Sequence, residues 1–293
     1  MHQEKDLFSK LEEAGYGDAA EKMGIYRQES IHIATAPRQE ADFALGESKI
    51  GGVPHLPEGF DWPTYDGVPL YFVAQINLAR LPDCKAAEQL PRSGILYFFY
   101  EGGYVWGFDP QDAGAAVVRH YDGDPSALHP RTMTNAEGES RVFEPPCAVT
   151  FSVVSELPTD ADDVDMAAVL DGVAEEERGK ATALIQECLE ADEPAEGIIN
   201  KLFGWPNLIQ GEFFTESHLA SNGIYAGDGE TLEDPAAVGF AEQVSDWILL
   251  FQMDSDENAG MMWGDVGRLY YTMKKSDLAA RKFDKIWFSM QCC

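Results

Sequence analysis

The stretch whose reading decides the fold runs from Trp247 to Met273, WILLFQMDSDENAGMMWGDVGRLYYTM. Two apolar runs, Trp247–Met253 and Leu269–Met273, flank a connection of acids, glycines and one tryptophan. Each run is strand-length, rich in large apolar residues and bounded by turn formers, so the segment reads as two strands and a loop. An earlier part of the chain repeats this layout. Leu70–Asn77 (LYFVAQIN) matches Trp247–Asp254 (WILLFQMD), and Gly94–Phe98 (GILYF) matches Gly267–Tyr271 (GRLYY). A third block, Ser48–Leu56 (SKIGGVPHL), matches Asn200–Leu208 (NKLFGWPNL), with Lys, an aliphatic residue, Gly, Pro and Leu in one register. Three blocks in the same order predict an internally duplicated α+β protein built of mainly antiparallel sheet units.

Outward from these blocks, the spacing predicts short helices over Lys5–Ala14 and Asp18–Met23, then a strand around Ser30–Ala34. The segment Ser48–Pro63 is too rich in Gly and Pro for a long helix or central strand. It also carries Ile50, Val53, Leu56, Phe60 and Trp62, so it is expected to pack down as an ordered cover. Strands are expected at Leu70–Ile76, Ile95–Tyr100, Tyr104–Phe108, Ala115–Tyr121 and Cys147–Val154, with a Gly102-Gly103 hairpin turn and a helical turn capped by Asn77. Residues 156–196 hold fourteen acids and only Arg178 and Lys180 as bases. That segment reads as an acidic helical linker, with breaks at Gly172 and Gly179. The expected organisation is N-terminal helices and a first strand (1–40), a first sheet unit (41–155), the linker or insertion (156–196) and a second sheet unit (197–293), all in one compact body.

The 293 residues carry 51 acids against 21 bases, a formal net charge of −30. Such a surface repels phosphate backbones and anionic membranes, so neither nucleic acid nor membrane is expected as a partner. A basic protein or a cation is favoured by the same field. No apolar run approaches the roughly 20 residues that span a bilayer. The five cysteines show no CxxC spacing, and the adjacent Cys292 and Cys293 could bridge only with strain. Free thiols and a cytoplasmic location are therefore expected.

The motifs KIGGVPHLPEGFDWP, LYFVAQINLARLP, GILYFFY, NKLFGWPNLIQ, WILLFQMDSD and MMWGDVGRLYY together resemble the YwqG-like family of uncharacterised bacterial proteins. The resemblance runs from about Ser48 to the C-terminus. It implies a single α+β body with duplicated sheet units and brings no established activity or catalytic residues.

Two sets of residues are candidates for chemistry. Asp254-x-Asp256-x-Asn258, with Asp265 in twelfth position, echoes an oxygen-rich calcium loop. Ala259 stands where that loop wants glycine, Asp265 is shorter than the usual glutamate, and the flanks read as strands. The competing reading is a hairpin loop whose acids cap turns. The second set is Gln75 and Gln252, late in their apolar strands, with Trp62, Trp205 and Trp263 in Pro- or Gly-flanked loops. They line a ligand groove between the halves, or they are satisfied core groups and core plugs. There is no GxSxG, HExxH or Walker motif. The leading expectation is a non-enzymatic binding protein, regulatory or inhibitory toward a basic protein partner. The alternatives are a metal-dependent hydrolase or calcium-stabilised module at Asp254–Asp265, and a small-ligand sensor with a groove near Gln75 and Gln252.

Overall fold

A computed structural model describes residues 4–103, 105–158, 163–190, 197–211, 213–228 and 246–292. The strands are β1 (Gln28–Pro37), β2 (Lys49–Ile50), β3 (His55–Pro57), β4 (Thr64–Tyr65), β5 (Val68–Pro69), β6 (Tyr71–Asn77), β7 (Ile95–Tyr100), β8 (Ala116–Tyr121), β9 (Leu128–Pro130), β10 (Cys147–Glu156), β11 (Asn200–Leu202), β12 (Trp247–Asp254), β13 (Arg268–Lys274) and β14 (Trp287–Gln291). Among the described residues ten of them form one antiparallel sheet, in the order β14-β13-β12-β11-β1-β10-β2-β6-β7-β8. The long central pair β1–β10 is in register from Gln28 opposite Glu156 to Pro37 opposite Cys147. On each side of it come a very short strand, then three longer ones. The ladder slips once between β6 and β7, at Phe72/Ala74, and once between β12 and β13, at Leu249/Phe251.

The sheet curls until it is nearly closed into a barrel. Aromatic rings on facing strands do the closing. The Phe98 ring lies 4.5 Å from Phe251 and 5.2 Å from Tyr271, and Tyr100 lies 5.8 Å from Phe288. The Tyr271 hydroxyl donates to the Phe99 carbonyl at 3.2 Å. All six residues of β7 are buried. Leu96, Phe98 and Tyr100 point into the barrel, while Ile95, Tyr97 and Phe99 meet Leu56, Trp62 and Leu128 on the outside. Covering both faces is what makes the strand read as a continuous apolar run rather than an alternating one. The Gly- and Pro-rich segment around Leu56–Trp62 is the outer cover, as its apolar content requires.

A helical layer packs beside the barrel. It comprises α1 (Glu4–Glu13), α2 (Gly17–Met23), α4 (Met166–Val169) and α5 (Glu175–Glu190); α3 (Lys85–Glu88) and α6 (Phe213–Ser221) lie elsewhere. Leu7, Leu11 and Met23 from the N-terminus share one apolar cluster with Val169, Ile185 and Leu189. The acid-rich segment is thus held by its apolar stripe, and the Tyr16 hydroxyl donates to Glu177 at 3.0 Å.

Two sequence expectations need correction. α5 runs through Gly179 without a break, because three turns of apolar contact outweigh the roughly 1 kcal/mol that one helical glycine costs. Residues 105–108 are not a strand after Gly102-Gly103. They leave the hairpin path to satisfy the far edge of the barrel: the Trp106 carbonyl accepts from Met290 N at 2.9 Å and the Gly107 carbonyl from Trp287 Nε1 at 2.7 Å. As expected, Cys292 is a free thiol, and so are Cys84, Cys147 and Cys188. Tyr104, Cys293 and residues 159–162 and 191–196 of the acidic segment lie outside the described residues.

Because Phe98 bridges both sides of the barrel interior, Phe98→Ala is expected to cost about 3–5 kcal/mol of unfolding free energy. Urea unfolding checks this; a loss under roughly 1 kcal/mol would mean that the barrel closes without that ring.

Candidate functional site

Two buried lysines anchor the turns beside Gln75 and Gln252. Lys49 in β2 is 0% exposed and Lys201 in β11 is 1% exposed. A buried ammonium without a counter-charge costs several kcal/mol, so each needs a carboxylate. Lys49 Nζ meets Glu40 Oε1 at 2.6 Å, and Lys201 Nζ meets Glu156 Oε1 at 2.8 Å. Burial pushes both lysines below the ordinary lysine value, and the facing carboxylates work against that shift.

The same carboxylates also close a turn. Glu40 accepts from Val53 N at 2.9 Å, and Glu156 from Trp205 N at 2.8 Å, each four residues after its lysine. Between lysine and N–H the chain makes two left-handed residues, Gly51-Gly52 (φ 63° and 66°) and Phe203-Gly204 (φ 60° and 76°). A Cβ on Gly52 would stand 2.4 Å from Glu40 Oε2, and one on Gly204 2.0 Å from Glu156 Oε1. The glycine in each turn is therefore demanded both by φ and by the carboxylate pressed against it.

Gln75 and Gln252 complete these turns. They stand opposite Lys49 and Lys201 in the next strands and are fully buried. Gln75 Oε1 accepts from His55 N at 2.8 Å, and Gln252 Oε1 from Asn207 N at 2.9 Å. Their amide nitrogens donate to the Glu47 carbonyl at 2.6 Å and the Ile199 carbonyl at 2.9 Å. Tyr97 and Tyr270 then donate to the carbonyls of His55 and Asn207, both at 2.7 Å. Each glutamine is engaged inside its own turn, and among the described residues no hydrogen bond joins the two. The tryptophans divide. Trp62 donates to the Leu70 carbonyl and packs edge-on against Phe99. Trp263 is 0% exposed and packs edge-on against Tyr100 and Phe143. Trp205 is half-buried, bonds the Tyr26 carbonyl and lines a 320 Å³ hollow with Phe214 and Ile248.

The acid loop after β12 is occupied by protein donors. Asp254 accepts from Ile199 N at 3.0 Å and lies 3.1 Å from Arg268 Nε. Asp256 accepts from Thr35 Oγ1 at 2.7 Å, Asn200 Nδ2 at 3.1 Å and Asn258 N at 2.9 Å. Asn258 Nδ2 reaches Thr35 Oγ1 at 3.3 Å, while Asp265 is exposed. Among the described residues no group of three or more His, Cys, Asp or Glu converges as a metal would require. The structure brings Asp254, Asp256 and Asn258 together around β1 and leaves Asp265 apart.

A larger opening than the hollow beside Trp205 lies elsewhere, at a defect in the sheet. On its side away from β1, β10 pairs with β2 only at Cys147 and Ala148. Beyond them the chain at Ala44–Ser48 swings off and leaves a cleft of 660 Å³. Its polar groups are Glu47, Ser48, Asn77, Arg80 and Thr150; Leu45, Val149 and Phe151 supply apolar wall. Burial works against the Glu47 charge. The Ala44 N–H and the guanidiniums of Arg38 and Arg80 nevertheless hold its carboxyl below the usual range. Arg38 pairs with Glu47 at 2.7 Å. Arg80 is exposed and has no hydrogen bond or ion pair among the described residues. Sequence reasoning passed over these residues because a cleft made by a strand leaving its partner has no local signature. The shared Lys of the two matched blocks was a usable signal for the turns themselves.

His55 supports the cleft wall. It is 2% exposed, and its Nδ1 accepts from Gly46 N at 3.1 Å. Burial first, and the Lys49 charge second, push its pKa from 6.5 down to about 4. Between those values the unfolded chain binds the extra proton, so this histidine makes stability rise with pH across that window. Its contribution is full above about pH 6.5 and is lost as pH falls toward 4. Urea midpoints at pH 7 and pH 5 should therefore differ less in His55→Asn than in the parent chain; equal differences would contradict the assignment. Gly204→Ala is expected to cost about 1–3 kcal/mol in backbone strain alone, before the contact with Glu156. Thermal unfolding unchanged by that substitution would show that the turn can re-form without glycine.

No curated protein matches this chain. The model of a family known as a domain of unknown function, DUF1963, matches residues 48–292, from the cleft wall and first buried lysine to the end of the last strand. With most of its length inside that match, the chain belongs to the DUF1963 family.

Proposed function

We propose that this chain is a binding protein that holds a small ligand in the cleft beside Ser48, on a scaffold made of two copies of one unit. The duplication is supported by bonding that recurs in order: a buried lysine, a carboxylate that also caps the N–H four residues on, a left-handed pair, and a glutamine and a tyrosine that tie the following residue. We read the chain as one of the YwqG-like proteins, since the motifs behind that resemblance lie between Ser48 and the C-terminus.

The observation that carries the ligand reading is the split between β10 and the Ala44–Ser48 segment. It leaves a concave space of 660 Å³, within the range of small-molecule sites, with apolar wall and a few polar groups. Ala44 is exposed on its rim, so Ala44→Trp fills the cleft without disturbing the core. Fragments found by ligand-detected NMR with the parent chain should stop binding to Ala44→Trp. Identical hits with both proteins, or none with either, would overturn the reading.

A second reading has its own support. Glu12, Glu13, Asp18, Glu21, Asp171, Glu175, Glu176 and Glu187 are all exposed on the helical layer. Such a face, on a chain of net charge −30, favours a basic protein partner by long-range attraction. A partner retained at low salt and released at high salt is expected from capture experiments in the native host. Retention indifferent to salt would remove the electrostatic basis.

A further inference from the structure

We propose that the cleft beside Ser48 binds a carboxylate carried on an apolar group, at the place where the second half of the sheet seats its own Asp256. This rests on reading the cleft as a ligand site and adds the chemistry of the ligand.

The argument compares the two sides of the sheet. Ile50 of β2 faces Cys147 of β10, and Leu202 of β11 faces Ile31 of β1. Counting four residues on, Phe151 of β10 stands where Thr35 stands in β1. Ser48 likewise stands where Asn200 does: Ser48 Oγ accepts from Asn77 N at 2.8 Å, and Asn200 Oδ1 from Asp254 N at 2.8 Å. Asn77 and Asp254 therefore correspond as well.

On the β1 side, the space bounded by Thr35, Asn200 and Asp254 is filled from within the chain. The Asp256 carboxylate accepts from Thr35 and Asn200, and the carbonyl of Asn258 accepts from the Cys147 thiol at 3.1 Å. On the β10 side, the matching boundary of Phe151, Ser48 and Asn77 encloses the open cleft. The connection after Asn77 goes another way there, through a helical turn at Leu78–Arg80, and delivers Arg80 to the cleft instead of an acid.

The donors left at the opening suit an anion. Ser48 uses its oxygen as acceptor for Asn77 N, which leaves its proton to give. Thr150 has a hydroxyl with no partner among the described residues. Arg80 offers a planar fork that matches a carboxylate bidentately. Arg80 is exposed and makes no ion pair among the described residues; its charge is felt by Glu47 across the cleft. Glu47, the acid in the wall, is already neutralised by Arg38. Phe151 in place of Thr35 exchanges a donor for apolar surface, and with Leu45 and Val149 it selects an acid bearing a hydrocarbon part.

Titration of the ¹⁵N-labelled full chain with hexanoate tests this, with hexanamide and inorganic phosphate as controls. Hexanoate should give saturable shifts at Glu47, Ser48 and Val149–Phe151. Arg80→Gln, at an exposed position that leaves the fold intact, should weaken it roughly tenfold or more. Ser48→Ala should weaken it less. Hexanamide binding as well as hexanoate, or an Arg80→Gln protein of unchanged affinity, would overturn the carboxylate assignment while leaving a ligand cleft. Phosphate binding as tightly as hexanoate would show that the site reads charge alone and would likewise overturn it. Saturation by none of the three at these residues would remove the carboxylate and count against the cleft itself.

Discussion

Two ammonium groups taken out of water set the terms for the rest of this fold. Lys49 and Lys201 sit in strands too short to be stable alone, and each is held by one carboxylate, Glu40 or Glu156. A buried pair of this kind adds little net stability compared with apolar residues, because desolvation cancels much of the attraction. Its effect is geometric. The carboxylate that must meet the ammonium also caps the backbone four residues on, so the chain has one way to turn. That turn carries β2 and β11 between their longer neighbours and brings Gln75 and Gln252 under the next loop.

The turns also explain why the sheet is open on one side of its centre and filled on the other. Both short strands leave β10 and β1 early. Past β11 the vacated edge is sealed by Asp256 and Asn258. Past β2 no such segment arrives among the described residues, since the chain after Asn77 turns toward α3, whose Lys85 N–H bonds Glu29 at 2.6 Å. An edge left unpaired is a liability unless it is covered or used. Its partial cover by Ala44–Ser48, held by His55 and Arg38, makes a recess rather than a bare strand.

Much of this was legible in the sequence where local chemistry and fold agree. The apolar runs at β6, β7, β12 and β13, the cap by Asn77, the Gly172 break and the apolar cover at Leu56–Trp62 all follow from residue type and spacing. The three matched blocks fall on the two lysine turns and the strands beside them. What could not be read was tertiary. The path of residues 105–108 is set by the needs of β14, far along the chain, and α5 passes Gly179 because α1 and α2 pack on it. The acids at Asp254–Asn258 drew attention as metal ligands. Their spacing does not reveal that Thr35 and Asn200 wait for Asp256 across the sheet. The cleft was invisible for the same reason, being a property of where β2 ends.

The account stands on the claim that each lysine–carboxylate pair is one coupled unit that fixes a turn. A double-mutant cycle on each pair is the most direct test, using Lys49→Met with Glu40→Gln, and Lys201→Met with Glu156→Gln, read by urea unfolding. The account predicts single substitutions costing about 3–5 kcal/mol, with coupling of roughly 2 kcal/mol or more in both cycles. Additive losses within about 0.5 kcal/mol would mean that neither pair acts as a unit, and the common basis for the two turns would be gone.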